Sequence, residues 1–220
     1  MEAGMDVIEA IMERHSVRDF SAKPVPRETV MKIFEAARYS PSGGNGQPWE
    51  VFIAAGATLE RIRQAYGERA NAGPGGPPPG RPPQPAYIQE RMAVIRRERF
   101  ELLGLDPDDP ASGNVFAEWG ARMFGAPVVA VICMDRGVNS QLDMGLFIQT
   151  VCLAAKGYGV DSFIAGSLIS QQDVLRKELA IPESLNIVTG IGLGYPNPEA
   201  VINTYRSPRR SLDEVVRYKE

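Results

Sequence analysis

Hydrophobic positions along this chain switch repeatedly between a helical and an extended period. Asp6 precedes Val7, Ile8, Ile11 and Met12, apolar at helical spacing, and Glu9 stands three residues after the aspartate, so residues 6–14 read as a capped amphipathic helix. Pro26, followed by Glu28, Val30, Ile33, Phe34 and Ala37, predicts a second helix with proline in its first turn. Glu50–Ala54 reads as a strand and Thr58–Glu68 as a helix with Leu59, Ile62 and Ala65 on one face. From Gly73 to Pro85 the chain is mostly glycine and proline, incompatible with a helix interior or a central strand. An amphipathic helix follows over Pro85–Leu103, with Met92, Ile95, Phe100 and Leu103 set among arginines and glutamates.

Phe116, Trp119, Met123 and Phe124 then mark an aromatic-rich helix leading into a strand over Val128–Ile132. Leu142–Ala155 reads as a buried helix, too short to span a bilayer and interrupted by Asp143 and Gln149. A short strand over 161–166, a helix over Gln172–Leu179 and a strand over Asn186–Leu193 complete the pattern. Helices before and after most strands imply an α+β sandwich, and one domain over 1–220 is the simplest division, with a Gly/Pro-rich insertion at 70–104 that is either an insertion with no role or, as long irregular loops often are, a lid.

A chain of 220 residues with 44% hydrophobic and 23% charged residues is ordinary for a soluble globular protein. A net charge of -3 gives no electrostatic reason to expect nucleic acid or an acidic membrane as partner. Cys133 and Cys152 lie in apolar surroundings without Cys-x-x-Cys spacing, and no leader pattern is evident, so a reduced, cytoplasmic protein is the default expectation. His15 is the only histidine, which excludes Ser-His-Asp, Cys-His and multi-histidine metal arrangements. Difficult chemistry here therefore needs a cofactor. The Gly190-x-Gly192-x-Gly194 run is followed by Tyr195-Pro196-Asn197-Pro198 instead of a helix start, and fails the context of a dinucleotide fingerprint.

Two segments carry candidate chemistry. Arg14-His15-Ser16-Val17-Arg18 closes the first helix, and two arginines around a serine hydroxyl suit a phosphate or polyol. Cations at a helix C-terminus also simply complement the macrodipole, so this cluster alone leaves both readings open. Pro41-Ser42-Gly43-Gly44-Asn45-Gly46-Gln47-Pro48-Trp49 is a polar loop whose residues permit unusual backbone angles and expose N–H groups to a ligand.

Together, in type, order and separation, the two segments resemble the FMN-dependent nitroreductase family. Asp143-Met144-Gly145 with Gln149 and Leu153-Ala154-Ala155 is similar to the family's central helix, and Gly190–Pro196 to its last core strand. The resemblance implies a mixed sheet flanked by helices in an intertwined homodimer with flavin at the subunit interface, the tail 203–218 extending over the partner. It implies that Arg14, His15, Ser16 and Arg209, with Arg206, hold the FMN phosphate and ribityl chain. Arg18 would lie near the pyrimidine edge, and Pro41, Ser42 and Asn45 would approach from the partner chain, with Gln149 also at the cofactor. Ile164, Ala165 and Gly166 would face flavin N5, although many relatives carry an acidic residue where this chain has Ala165. Tyr87, Arg96 and Phe100 become candidate lid residues, and Trp119 and Phe124 candidate pocket walls.

The implied activity is a ping-pong hydride transfer from NADH or NADPH through FMN to a nitroaromatic or a quinone, nitro groups passing to hydroxylamines. The Pro-rich segment and its following helix resemble the nitrobenzoate and nitroaniline reductases of the family. Dehalogenation on the same fold uses a lid lysine, and between Lys32 and Lys156 this chain has none. Flavin cleavage, a non-catalytic FMN-binding module and a purely structural protein are the other readings left open.

Overall fold

In a computed structural model, residues 5–70 and 84–220 are described. Helix α1 (Val7–Glu13) is followed by α2 (Arg27–Ala37), strand β1 (Trp49–Ala55), α3 (Gly56–Ala70), α4 (Ala86–Leu102) and α5 (Ser112–Ala121). Strand β2 (Val128–Asp135), α6 (Gln141–Gly157), β3 (Asp161–Ala165), α7 (Gln172–Leu179), β4 (Leu185–Gly194) and α8 (Leu212–Val215) complete the order. Of the Gly/Pro-rich stretch and the lid expected over 70–104, residues 71–83 lie outside the described residues.

The strands form one sheet in the order β1-β2-β4-β3. Every pairing in it is antiparallel, where a mixed sheet was expected; the parallel pairing among the described residues is the isolated bridge Ser16–Ser162 at its edge. Central strand β2 is buried on both faces, so alternate residues feed two cores. Val129, Val131 and Cys133 pack with Leu59, Ile62 and Tyr66 of α3 and Leu175 of α7. Val128, Ala130, Ile132 and Met134 pack with Val30 and Ile33 of α2 and Met144, Phe147 and Val151 of α6. Trp49 seals the second layer by stacking on Phe147 at 4.6 Å.

Strand β4 shows why its glycine run is structural. Ile191 and Leu193 point into the α2–α6 core, so Gly190, Gly192 and Gly194 share the opposite face. A Cβ at Gly190 would stand 2.6 Å from Leu168 Cβ, and one at Gly194 would stand 2.6 Å from Pro127 Cδ. The run lets the 3₁₀ turn Gly166–Ile169 and the segment around Phe20 lie directly on the sheet.

Two local expectations need correction. The aromatic helix stops at Ala121, and Met123 and Phe124 belong to a separate 3₁₀ turn with φ of 52° and 56°. This left-handed turn lets the Phe124 carbonyl accept from Phe20 N at 3.0 Å. The apolar residues of α1 do not form a buried face within the chain: Val7, Ile8, Ile11 and Met12 are exposed, and Ala10 is the helix's buried residue. On α6, Leu142 and Leu146 are likewise exposed, beside a buried face of Met144, Phe147 and Val151.

Candidate active site

Helix α1 begins at Asp6, whose carboxylate accepts from Ile8 N at 2.9 Å, and ends where Arg14 turns to an extended conformation. The chain then runs along β3, with Val17 N donating to Ser162 O at 3.2 Å. Extended geometry alternates the side chains: Val17 enters the core, while Ser16 and Arg18 turn the other way. The C-terminal segment comes back across this stretch. Together they enclose a cavity of about 670 Å³ bordered by Arg14, Ser16, Arg18, Lys156, Arg206 and Arg209.

The charge in this cavity is poorly neutralised. Lys156 is paired with Asp161 at 3.0 Å and sits 3.9 Å from Glu13. None of the four arginines has a carboxylate partner among the described residues. Arg206 and Arg209 instead donate to the carbonyls of Asn203 and Ser207, at 2.8 and 2.7 Å. Arg18 donates to Ser16 O at 3.2 Å and lies 5.2 Å above the Phe163 ring. Burial, and after it the like charge of Arg99, lower the Arg18 guanidinium to about 10, so it remains protonated at neutral pH. His15 sits at the wall with Nδ1 2.9 Å from Glu13 O; burial holds its imidazole below the usual histidine range. The cavity therefore offers hydrogen-bond donors and positive charge to an anion.

At the end of β3, Ile164 and Gly166 are exposed while Ala165 is buried. A Cβ at Gly166 would meet nothing within 4 Å, which leaves open space over that backbone.

The remaining predicted residues lie elsewhere in the chain. Pro41, Ser42 and Asn45 stand on a loop held by Asp143, whose carboxylate accepts from Gly43 N at 3.3 Å and from the Ser140 hydroxyl. Gln149 is exposed on α6. None of these four borders the arginine cavity. Tyr87 is exposed beneath the Arg91 guanidinium. Phe100 is buried, stacked on Phe116 at 5.4 Å and covered by Arg96 at 5.0 Å. Trp119 meets Phe116 edge-on at 5.3 Å and packs against the core. Phe124, expected to face a substrate, is a core residue set edge-on to Phe163 at 4.5 Å, because the left-handed turn points it inward.

Residues 11–195 match the model of the nitroreductase family. This chain belongs to the nitroreductase family. It is 34% identical over 210 residues to the nitrobenzene nitroreductase of Ectopseudomonas oleovorans, covering 93% of this chain and 92% of that one. It is 30% identical over 209 residues to the 4-nitrobenzoate reductase of Pseudomonas putida, covering 90% and 89%. The solved structure of the FMN and NADPH-dependent nitroreductase NfnB from Sphigopyxis sp. strain HMH superposes with a TM-score of 0.90 at 28% identity, covering 98% of this chain and all of that one.

Two residues of this nitroreductase that sequence reasoning missed lie beyond the matched region. Asn203 Oδ1 accepts from the backbone N–H of Arg18 at 2.9 Å and of Asp19 at 3.2 Å, while its Nδ2 donates to Asp19 O at 2.7 Å. It therefore fixes both the arginine segment and the returning C-terminal segment. Tyr205 borders the cavity and donates a 2.6 Å hydrogen bond to Glu98 of α4. The sequence offers no motif for either, since the partners are about a hundred residues or more away.

Proposed function

We propose that this nitroreductase binds FMN in the arginine cavity and uses NADH or NADPH to reduce nitroaromatics to hydroxylamines, or quinones, in a ping-pong cycle. The observation that carries the reading is the set of four arginines without carboxylate partners around Ser16. A phosphate monoester and its polyol chain fit that donor set, each charge-assisted hydrogen bond contributing roughly 1.5–3 kcal/mol when well formed. FMN, when bound, would supply the hydride-transfer chemistry that no side chain here can.

The protein's own residues bind and orient. Arg14, Ser16, Arg206 and Arg209 hold the phosphate end, with His15 at the wall as a neutral group. Arg18 would place a protonated guanidinium near the pyrimidine end of the cofactor, where its positive charge would stabilise added electrons. Ile164, Ala165 and Gly166 form the edge facing the reacting atom. Because Ala165 carries no carboxylate, that edge works through backbone groups. No side chain is required as nucleophile or general base, and in this reading nicotinamide and oxidant would occupy one pocket in turn.

A homodimer completes the site in this reading. The exposed apolar residues of α1 and those of α6 form unburied faces on a single chain. Pro41, Ser42, Asn45 and Gln149 lie outside the chain's own arginine cavity, so they serve the cavity of a second copy. Tyr87, Arg96 and Phe100 of the α4 region and Trp119 of α5 form the outer wall.

The test is quenching of FMN and riboflavin fluorescence by flavin-free protein, with sedimentation to measure mass. The expected result is one FMN per chain in a dimer, held far more tightly than riboflavin. Equal affinity for the two flavins contradicts the phosphate site, and a monomer that holds FMN equally well contradicts the shared site.

A further inference from the structure

Helix α4 carries a cation that the flavin reading does not use. Arg99 is half-buried, its Nε donates to Ile95 O at 3.1 Å, and its guanidinium lies 5.6 Å from the centre of the Phe116 ring. With Arg96, Phe100 and Phe116 it borders a cavity of about 340 Å³, within the range of a pocket for one small aromatic ligand.

Two carboxylates of this region are engaged elsewhere. Glu98, the preceding residue, accepts from Tyr205, and Asp108 pairs with Arg97 at 3.2 Å. Residues 71–83, which lead into the helix, contain no aspartate or glutamate in their sequence. Among the described residues Arg99 has no carboxylate partner. Tyr205, which touches α4 through Glu98, also borders the arginine cavity alongside Arg18. Arg99 stands close enough for its charge to lower the Arg18 guanidinium. A half-buried cation without a carboxylate partner is thus set beside the Phe100 and Phe116 rings of its own cavity, an arrangement that favours an anion against it.

We propose that Arg99 reads a carboxylate on the aromatic electron acceptor, making anionic nitroaromatics such as nitrobenzoates the preferred oxidants. This rests on the nitroaromatic reading of the site and narrows it. The ring of such an acceptor lies against the Phe116 side of the pocket, and its carboxylate takes two of the four guanidinium N–H donors that the Ile95 bond leaves free. A neutral acceptor leaves those donors unpaired and gains less.

Oxidised FMN-loaded protein is titrated with benzoate and with benzamide, following the visible flavin spectrum, and kcat/KM is measured for 4-nitrobenzoate and 4-nitrobenzamide. Benzoate is expected to bind at least tenfold more tightly than benzamide. Arg99→Gln should erase that difference and should lower kcat/KM for 4-nitrobenzoate, through KM, at least tenfold more than for 4-nitrobenzamide. Arg99→Lys should restore part of the preference. Equal binding of the two probes by the wild type, or equal weakening of both by Arg99→Gln, overturns the proposal. So does a rise in KM for NADPH but not NADH with benzoate binding unchanged, which would assign the charge to a nucleotide phosphate. If the benzoate preference holds while neither nitro compound is reduced, the anion site stands and the nitroaromatic reading falls.

Discussion

The phenol of Tyr205 donates a 2.6 Å hydrogen bond to the carboxylate of Glu98, and so joins the segment bordering the arginine cavity to helix α4. Tyr205→Phe should cost only about 1 kcal/mol, because the bond is partly open to solvent. It should nonetheless speed amide exchange in α4 selectively. Unchanged protection of α4 would show that this bond does not anchor the helix.

Asn203 has a larger effect in prospect. Asn203→Ala removes the acceptor for two buried-side backbone N–H groups and the donor to Asp19 O, at an expected cost of about 3 kcal/mol. Thermal unfolding should shift down and FMN affinity should fall with it, since Arg18 loses its fixed backbone. Stability lost with FMN affinity retained would separate the clamp from the site.

Arg14→Ala and Arg209→Ala should each weaken FMN roughly tenfold to a hundredfold, the equivalent of about 1.5–3 kcal/mol for a charge-assisted contact. Riboflavin binding should hardly change. Flavin titrations check both, and unchanged FMN affinity in both variants would remove the phosphate assignment.

Gly190 and Gly166 separate the fold from the site. A methyl group at Gly190 runs into Leu168, so Gly190→Ala should destabilise by about 1–3 kcal/mol. At Gly166 the added carbon meets nothing within the chain, so Gly166→Ala should leave the flavin-free protein's melting temperature nearly unchanged. It should instead alter FMN affinity or the visible spectrum, because the proposed function puts the ring in that open space. A Gly166→Ala protein with normal flavin properties would place the ring elsewhere.

Tyr66 sets an alkaline limit. Its phenol donates to Leu168 O at 3.0 Å and accepts from Gln171 N at 3.2 Å. Burial is the main cause that pushes its pKa up to about 12. The folded pKa lies above the unfolded value, so this contribution is fully present below pH of about 10 and is lost as pH rises through about 12. Its size is on the order of 2–3 kcal/mol. Denaturant midpoints measured from pH ~8 upward should fall in that window, and less steeply in Tyr66→Phe.

Much of this architecture is legible from local signals. Asp6 before an apolar helical run gives the cap of α1, and the context after Gly194 rules out a dinucleotide fingerprint because no helix follows. The arginine cluster and the glycine-rich loop identify the family from residue type and spacing. Phe124 was misplaced because its left-handed turn answers a tertiary demand, the close approach of Phe20, that no helical period encodes. Asn203 and Tyr205 are invisible for a related reason: their partners are distant in sequence, and an asparagine or tyrosine in a C-terminal segment carries no motif. The apolar stripe of α1 is legible in the sequence but its exposure is not, because periodicity reports that a stripe is apolar without saying what covers it.

The most direct measurement is an anaerobic absorbance titration of FMN-loaded protein with NADPH and, separately, NADH, followed by 4-nitrobenzoate. The account predicts that at least one nicotinamide bleaches the flavin band and that the nitro compound restores it in the nicotinamide's absence. Bound flavin that neither nicotinamide bleaches, or a bleached band that neither 4-nitrobenzoate nor a neutral nitroaromatic restores, would contradict it.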